Sequence, residues 1–425
     1  MKIIGVVDPL SEAARLRKTT EIGESLIAQT KEIMGDVAKH GDLAVLDYVA
    51  KFDGVRLDSV RVTDVEIKQA YNKATKDQVA ALKLMKKRLE KSELAVLKRL
   101  GNISIKSDGV TIDRRVLPVE SVGCYIPGGK ARYPSTVVMC AVPAKVAGVK
   151  RIVAISPPTK DGSIDPLTLV AADICGVDEF YKIGGAHGIA ALTYGTQSIR
   201  PVSKIVGPGG MFVTAAKHVA SSRLSVDMVA GPTELLVYAD LSADPALVAV
   251  DLVSQAEHSP DTVCGLVTTS EKMAMQVKAA IDKMTGIDRE EIVKKSLEKN
   301  GFVAVCSSQD ACLKFINEFA PEHVEIICKN ADSVAKKIDS AGLVLVGSDT
   351  PSSASDYCLG SNHVLPTMGF GKSRASLSVL DFIKIVNKVK ATKKGLAKVD
   401  KAIKAMTGAE GLPNHYEAVK ARKRK

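Results

Sequence analysis

The sequence predicts an α/β protein with two largely parallel sheets. Two observations carry this. Short β-branched runs alternate with helical stretches from about Ser121 onward, the pattern of βα units. The nine candidate strands also separate into two groups around residue 240, which suits two sheets better than one.

Before Ser121 the chain reads as helical. Ser11–Val49 carries few breakers besides Gly23, Gly35 and Gly41, and Asp64–Leu100 repeats apolar residues at three and four, as in Ala81, Leu84, Met85 and Leu89. Strands are then predicted at Val122–Ile126, Arg151–Ile155, Glu179–Ile183, Lys204–Val206 and Leu235–Tyr238, and later at Cys264–Thr268, Phe302–Cys306, Val324–Ile327 and Leu343–Val346. Helices are predicted between them at Ser135–Ala147, Pro166–Cys175, His187–Tyr194, Met211–Ser221, Pro245–His258, Glu271–Met284 and Asp310–Phe319. After Pro366 the pattern weakens. Ser378–Val389, Leu396–Met406 and Tyr416–Arg424 read as short helices without a sheet.

Composition narrows the class. Of 425 residues, 46% are hydrophobic and 25% charged, which excludes a disordered chain or a collagen. No apolar run approaches the ~20 residues of a membrane helix, and Asp8 interrupts the start of the chain before a signal-peptide core can form. Eight cysteines form no CxxC pair and sit mostly in apolar runs, as expected of a reducing compartment such as the cytoplasm. From Lys384 onward there are 13 Lys/Arg and three acids, so the C-terminal piece holds +10 of the net +11. Such a charge could meet nucleic acid, but the chain has no Trp, 4% aromatics and no binding motif, so a solvated helical face is the better reading. The piece is too small and too charged to bury its own core, so it is expected to dock on the main body or on a partner.

Two glycine-rich loops, Tyr125–Ser135 and Val206–Ala216, each follow a strand and lead into a helix, where backbone N–H groups can face a phosphate. Neither is a P-loop. Neither completes GxGxxG, because Phe212 occupies the third position after Gly207 and Gly209. The seven histidines say more. Gln255 and His258 share one face at a helix end, and Glu322 stands beside His323. Asp356 and His363 share a loop, and Glu410 and His415 flank a turn. His with carboxylate or amide suits a divalent ion such as zinc, or acid–base work near neutral pH. From the residues alone, both remain open.

These residues resemble the histidinol dehydrogenase family, zinc- and NAD-dependent enzymes. The matching segments run in order as YIPGG, PAKVAGV, GGA, GPG, DMVAGPTE, QAEHSPD, APEHVEI, SDYCLGSNHVLPT and EGLPNHYEAV. The resemblance implies two Rossmann-like α/β domains with mostly parallel sheets, plus small helical N- and C-terminal pieces. In that division residues 1–20 are an N-terminal helical piece. Residues 21–124 and 234–377 form a discontinuous domain carrying the zinc and catalytic residues, 125–233 form the NAD side, and 378–425 form a basic helical piece swapped onto the partner subunit.

The resemblance further implies that Gln255, His258, Asp356 and His415 hold one zinc ion per subunit, and that Glu322 and His323 are catalytic. Thr233, His363 and Glu410 would join these six around L-histidinol. Tyr125, His187 and Gly210 would line the NAD site. The protein would be a homodimer whose active site is completed in trans, with no membrane or nucleic-acid partner. Three departures from the family pattern stand out. Thr233 replaces a Ser, His187 a Gln and Gly210 an Asn, so both cofactor-side amides are changed while the zinc and catalytic set is intact. A paralogous zinc/NAD(P) dehydrogenase acting on another polyol or amino alcohol is the alternative. Lys130 and Arg132 are basic residues placed to meet a cofactor phosphate.

Overall fold

A computed structural model of the chain describes residues 1–17, 22–128, 132–228 and 231–422. With strands numbered along the chain, one parallel sheet has six strands in the order β1 (Lys2–Val6), β11 (Phe302–Cys306), β10 (Val263–Thr268), β9 (Glu234–Ala239), β12 (His323–Ile327) and β13 (Leu343–Val346). A second parallel sheet has five, in the order β6 (Glu179–Lys182), β5 (Arg151–Ser156), β4 (Ser121–Tyr125), β7 (Lys204–Val206) and β8 (Ser225–Val226). A small antiparallel sheet joins β14 (Ile383–Ala391), β3 (Val110–Pro118) and β2 (Ile103–Ser107). The α/β fold with mostly parallel sheets is therefore as the sequence predicts. Among the described residues no helix is long and apolar enough to cross a membrane.

Each parallel sheet carries apolar cores on both faces, which is why its strands read as continuous apolar runs. Helix Pro134–Ala147 lies in the core beside the five-stranded sheet. It is buried over most of its length, starts on a proline and ends on left-handed Gly148. Helices Asp64–Lys73 and Lys76–Leu97 start on Thr63–Glu66 and Thr75–Gln78 capping boxes, each satisfying two otherwise unpaired N–H groups.

Three expectations need correction. The first residues are not purely helical: Lys2–Val6 adds an edge strand to the six-stranded sheet, and helix Pro9–Leu16 follows. The apolar KIIGV run suits a strand paired to Phe302–Cys306. Residues 21–124 pack mainly on the five-stranded sheet rather than with the six-stranded sheet of 234–377, which they meet at points such as Arg88 Nη1 donating to the Cys358 carbonyl at 3.0 Å. Ile33 to Val60 and Val62 to Leu89 bury their side chains against the five-stranded sheet, to which β4 itself belongs. Residues 378–425 are not all helical. The expected helix Ser378–Val389 is a short turn followed by β14, whose lysines and branched residues pair along the nine residues of β3. Its partner hairpin turns at Asp108–Gly109, both with positive φ, a local Asp-Gly signal inside a stretch assigned no strand. Helices Lys393–Ala409 and Pro413–Ala421 close the chain.

Candidate active site

The site forms where the two parallel sheets face each other. From the six-stranded sheet, the amino-terminal ends of β9 and β12 supply Glu234 and His323, with Glu322 just before β12. From the five-stranded sheet come the carboxyl ends of β4, β6 and β7. Open α/β sheets usually use their carboxyl ends; here only one of the two does. Several contacts cross the junction. Asn362 Nδ2 donates to the Met139 carbonyl at 2.8 Å, Gly231 N–H donates to Thr367 Oγ1 at 2.6 Å, and Thr136 Oγ1 lies 3.4 Å from His363 Nε2.

His323 is the centre. Helix Gln309–Phe319 ends on Ala320, a non-glycine residue held at φ +51°, and the chain turns there into Pro321–Glu322–His323. A left-handed alanine costs about 1 kcal/mol, so the surrounding fold must hold it. His323 is 2% exposed. Its Nδ1 lies 3.7 Å from Glu322 and its Nε2 3.6 Å from Asp356, and neither nitrogen has a hydrogen-bond partner among the described groups. Burial opposes a charge on this ring, but the Glu322 and Asp356 carboxylates outweigh it and raise the imidazole to about 9.

Glu322 is tied to Glu234 by reciprocal bonds. Glu322 N–H donates to Glu234 Oε2 at 3.2 Å, and Glu234 N–H donates to Glu322 Oε2 at 2.9 Å. Burial pushes Glu322 to about 7 and Glu234 to about 8, so both sit near a proton-transfer range at neutral pH. The Thr233 hydroxyl lies close enough to Glu322 to oppose that rise. Glu234 escaped sequence reasoning; the available signal was an acid opening the otherwise apolar strand ELLVYA.

Gln255 ends helix Pro245–Ala256 and is buried. His258 N–H closes onto the Gln255 carbonyl at 3.2 Å, and its ring lies near enough to feel the charges of Asp356 and His323. Asp356 caps the short helix Ser352–Ser355, and its carbonyl lies 2.8 Å from His363 Nδ1. The fold thus brings together Thr233, Gln255, His258, Glu322, His323, Asp356 and His363. It does not bring Glu410 or His415 to them. Both are exposed on the C-terminal helices, whose nearest partners are β14 and the Asp108–Gly109 turn. Among the described residues no three His, Cys, Asp or Glu form a metal-ready group within the chain. Gln255, His258 and Asp356 are one amide oxygen, one imidazole and one carboxylate, a donor set that fits zinc and leaves its shell open.

On the other side, Tyr125 ends β4. Its hydroxyl accepts a hydrogen bond from Gly185 N–H at 3.2 Å, and burial pushes its own proton affinity up to about 12. Gly207 lies so close that a Cβ there would stand 2.2 Å from the Tyr125 carbonyl. His187, in the first turn of helix Gly185–Tyr194, is 2% exposed, packs against Tyr48 and Phe52 and has no hydrogen-bond partner on either nitrogen among the described residues. Nearby Asp53 also keeps a buried oxygen without a partner, and burial raises it to about 6. Gly210 precedes helix Met211–Ala220 with open space around it. Lys130 lies outside the described residues. Arg132 pairs with Asp165 at 3.2 Å.

Two parallel α/β sheets with a buried His between carboxylates at their junction define an enzyme of the acid–base type. A model of the family described as histidinol dehydrogenase matches residues 16–423. Histidinol dehydrogenases of Methanocaldococcus jannaschii and Listeria innocua are 40% and 41% identical to the chain, covering 94% and 99% of it and 93% and 98% of their own lengths. The crystal structure of histidinol dehydrogenase from Elizabethkingia anophelis superposes with a TM-score of 0.94 at 35% identity, covering 100% of this chain and 98% of that one. The chain belongs to the histidinol dehydrogenase family, and so to the oxidoreductases.

Proposed function

We propose that the protein is a zinc-dependent histidinol dehydrogenase of the cytoplasm, oxidising L-histidinol through L-histidinaldehyde to L-histidine with two NAD at the end of histidine biosynthesis. The observation that supports it most is His323, buried between Glu322 and Asp356 with both nitrogens unpaired, in a chain that matches the family along nearly its whole length. Gln255, His258 and Asp356, with His415 of a second copy, would hold the zinc ion. When bound, zinc supplies a Lewis acid that fixes the imidazole and amino nitrogens of the substrate, and NAD supplies the hydride acceptor at the Tyr125 side.

The chain's own residues do the rest. With Asp356 engaged by zinc, the carboxylate charge that holds a proton on His323 would be offset, and the neutral ring would take the hydroxyl proton as the alcohol gives its hydride to NAD. Glu322 takes a proton from water so that it adds to the aldehyde, and His323, having released its first proton to solvent, takes the hydrate's hydroxyl proton as the second hydride passes to NAD. Thr233, His363 and Glu410 of the second copy orient the substrate. Exposure of Ile385, Val389, Met406 and Leu412 in the single chain agrees with a second copy covering the C-terminal piece.

The test is reduced nicotinamide formed per L-histidinol on zinc-loaded protein, before and after chelation. Two equivalents, abolished by chelation and restored by zinc, are expected. Turnover with NADP alone would place the change at His187 and Gly210. Silence with both cofactors on folded, zinc-loaded protein would favour another amino alcohol or polyol.

A further inference from the structure

Glu325 lies two residues beyond His323 on β12, so both side chains leave the same face of the strand. It is 1% exposed. Its Oε1 accepts the Ser352 N–H at 2.6 Å. Ser352 opens the short helix that ends at Asp356, and its hydroxyl donates to Gln255 Oε1 at 3.3 Å. Asp251, one turn before Gln255 on helix Pro245–Ala256, lies close enough for its charge to act on the same Glu325 carboxyl. Glu325 Oε2 finds no N–H or O–H donor among the described groups. Burial, then the charge of Asp251, raise Glu325, so neither acid is free to ionise as it would in water. Apolar side chains could fill this space without the cost of burying two acids. The acids instead join the three segments that carry His323, Gln255 and Asp356.

We propose that the Asp251–Glu325 carboxyl pair is the positioning element of the active site, holding Gln255, His323 and Asp356 in mutual register. The pair touches no reacting atom. The proposal rests on the reading of Gln255 and Asp356 as zinc ligands, and its test separates the two. Zinc affinity is measured on the full-length protein by competition with a chromophoric chelator, together with kcat, KM for L-histidinol and the melting temperature of the zinc-free form.

Glu325→Leu is expected to lose about 10–100-fold in zinc affinity, the usual effect of removing an outer partner of a ligand. Glu325→Gln is expected to stay near wild type, because its amide can accept from Ser352 and donate to Asp251. Ser352→Ala, which keeps its N–H, is expected to lose about threefold or more through Gln255 alone. Wild-type zinc affinity in Glu325→Leu alongside a lowered melting temperature would overturn the proposal, leaving the pair a packing feature. If Glu325→Leu does not fold, undiminished affinity in Ser352→Ala overturns it. If the wild type takes up no zinc, the ligand reading fails instead. Positioning then reads in kcat, with a tenfold or greater loss in Glu325→Leu restored in Glu325→Gln expected, and equal kcat in both overturning it.

Discussion

At the scale of single residues, His323 and His187 show how burial decides the work of an imidazole. Both are about equally hidden, yet their proton affinities move in opposite directions. His323 has two carboxylates within 3.7 Å and is raised to about 9, whereas burial against Tyr48 and Phe52 lowers His187 to about 4. His323→Ala is expected to lower kcat by about 10²–10⁴ while leaving zinc affinity within a few-fold, read by steady-state kinetics and metal titration. For His187 the sign follows from linkage. The unfolded ring binds its proton near 6.5 and the folded ring near 4, so stability is full above pH 6.5 and falls as pH drops towards 4. The loss is about 1–3 kcal/mol. His187→Gln should flatten that acid limb in urea melts at successive pH values; an unchanged slope would remove His187 as its source.

At the scale of elements, the loop after β7 is the most constrained piece of the cofactor side. Gly207 combines φ +111° with the close Tyr125 carbonyl, and the Asp227 carboxylate accepts the Gly207 N–H at 2.7 Å. Buried Lys217 pairs with Asp227 and donates to the Gly207 carbonyl at 2.9 Å. Gly207→Ala is expected to cost about 3 kcal/mol or more in stability or to raise KM for NAD about tenfold or more, checked by calorimetry and kinetics. Gly210 has none of these constraints, so Gly210→Asn is expected to fold normally. The elements differ in how far the sequence announced them. Buried parallel strands such as Arg151–Ser156 were legible within a residue or two because both faces are apolar. β14 was not, because alternating lysine and branched residues on an exposed edge resemble a charged helix until the partner strand Val110–Pro118 is known.

At the scale of the whole molecule, the substrate-side residues divide into those gathered at the sheet junction and Glu410 and His415, which stand apart on the C-terminal helices. Complementation between two inactive variants tests exchange of that piece. Co-expressed His323→Ala and His415→Ala chains form mixed dimers in which one site has an intact body from one chain and an intact C-terminal piece from the other. If the site is completed in trans, random pairing should restore about a quarter of wild-type activity. If each chain completes its own site, nothing should return.

The sequence by itself determined the α/β class, both parallel sheets and the residue types of the candidate site, because strand periodicity and His–carboxylate segments are local signals. It also carried the family resemblance, since ordered segments such as QAEHSPD and APEHVEI need no coordinates to be compared. Only the tertiary structure decided that helices 24–97 belong with the five-stranded sheet, that Glu234 interlocks with Glu322, and that Glu325 joins Asp251 behind His323. The physical reason is common to all three. Each depends on which surfaces are buried against one another between segments distant in the chain, and burial sets both the packing partner of a helix and the charge of a carboxyl group.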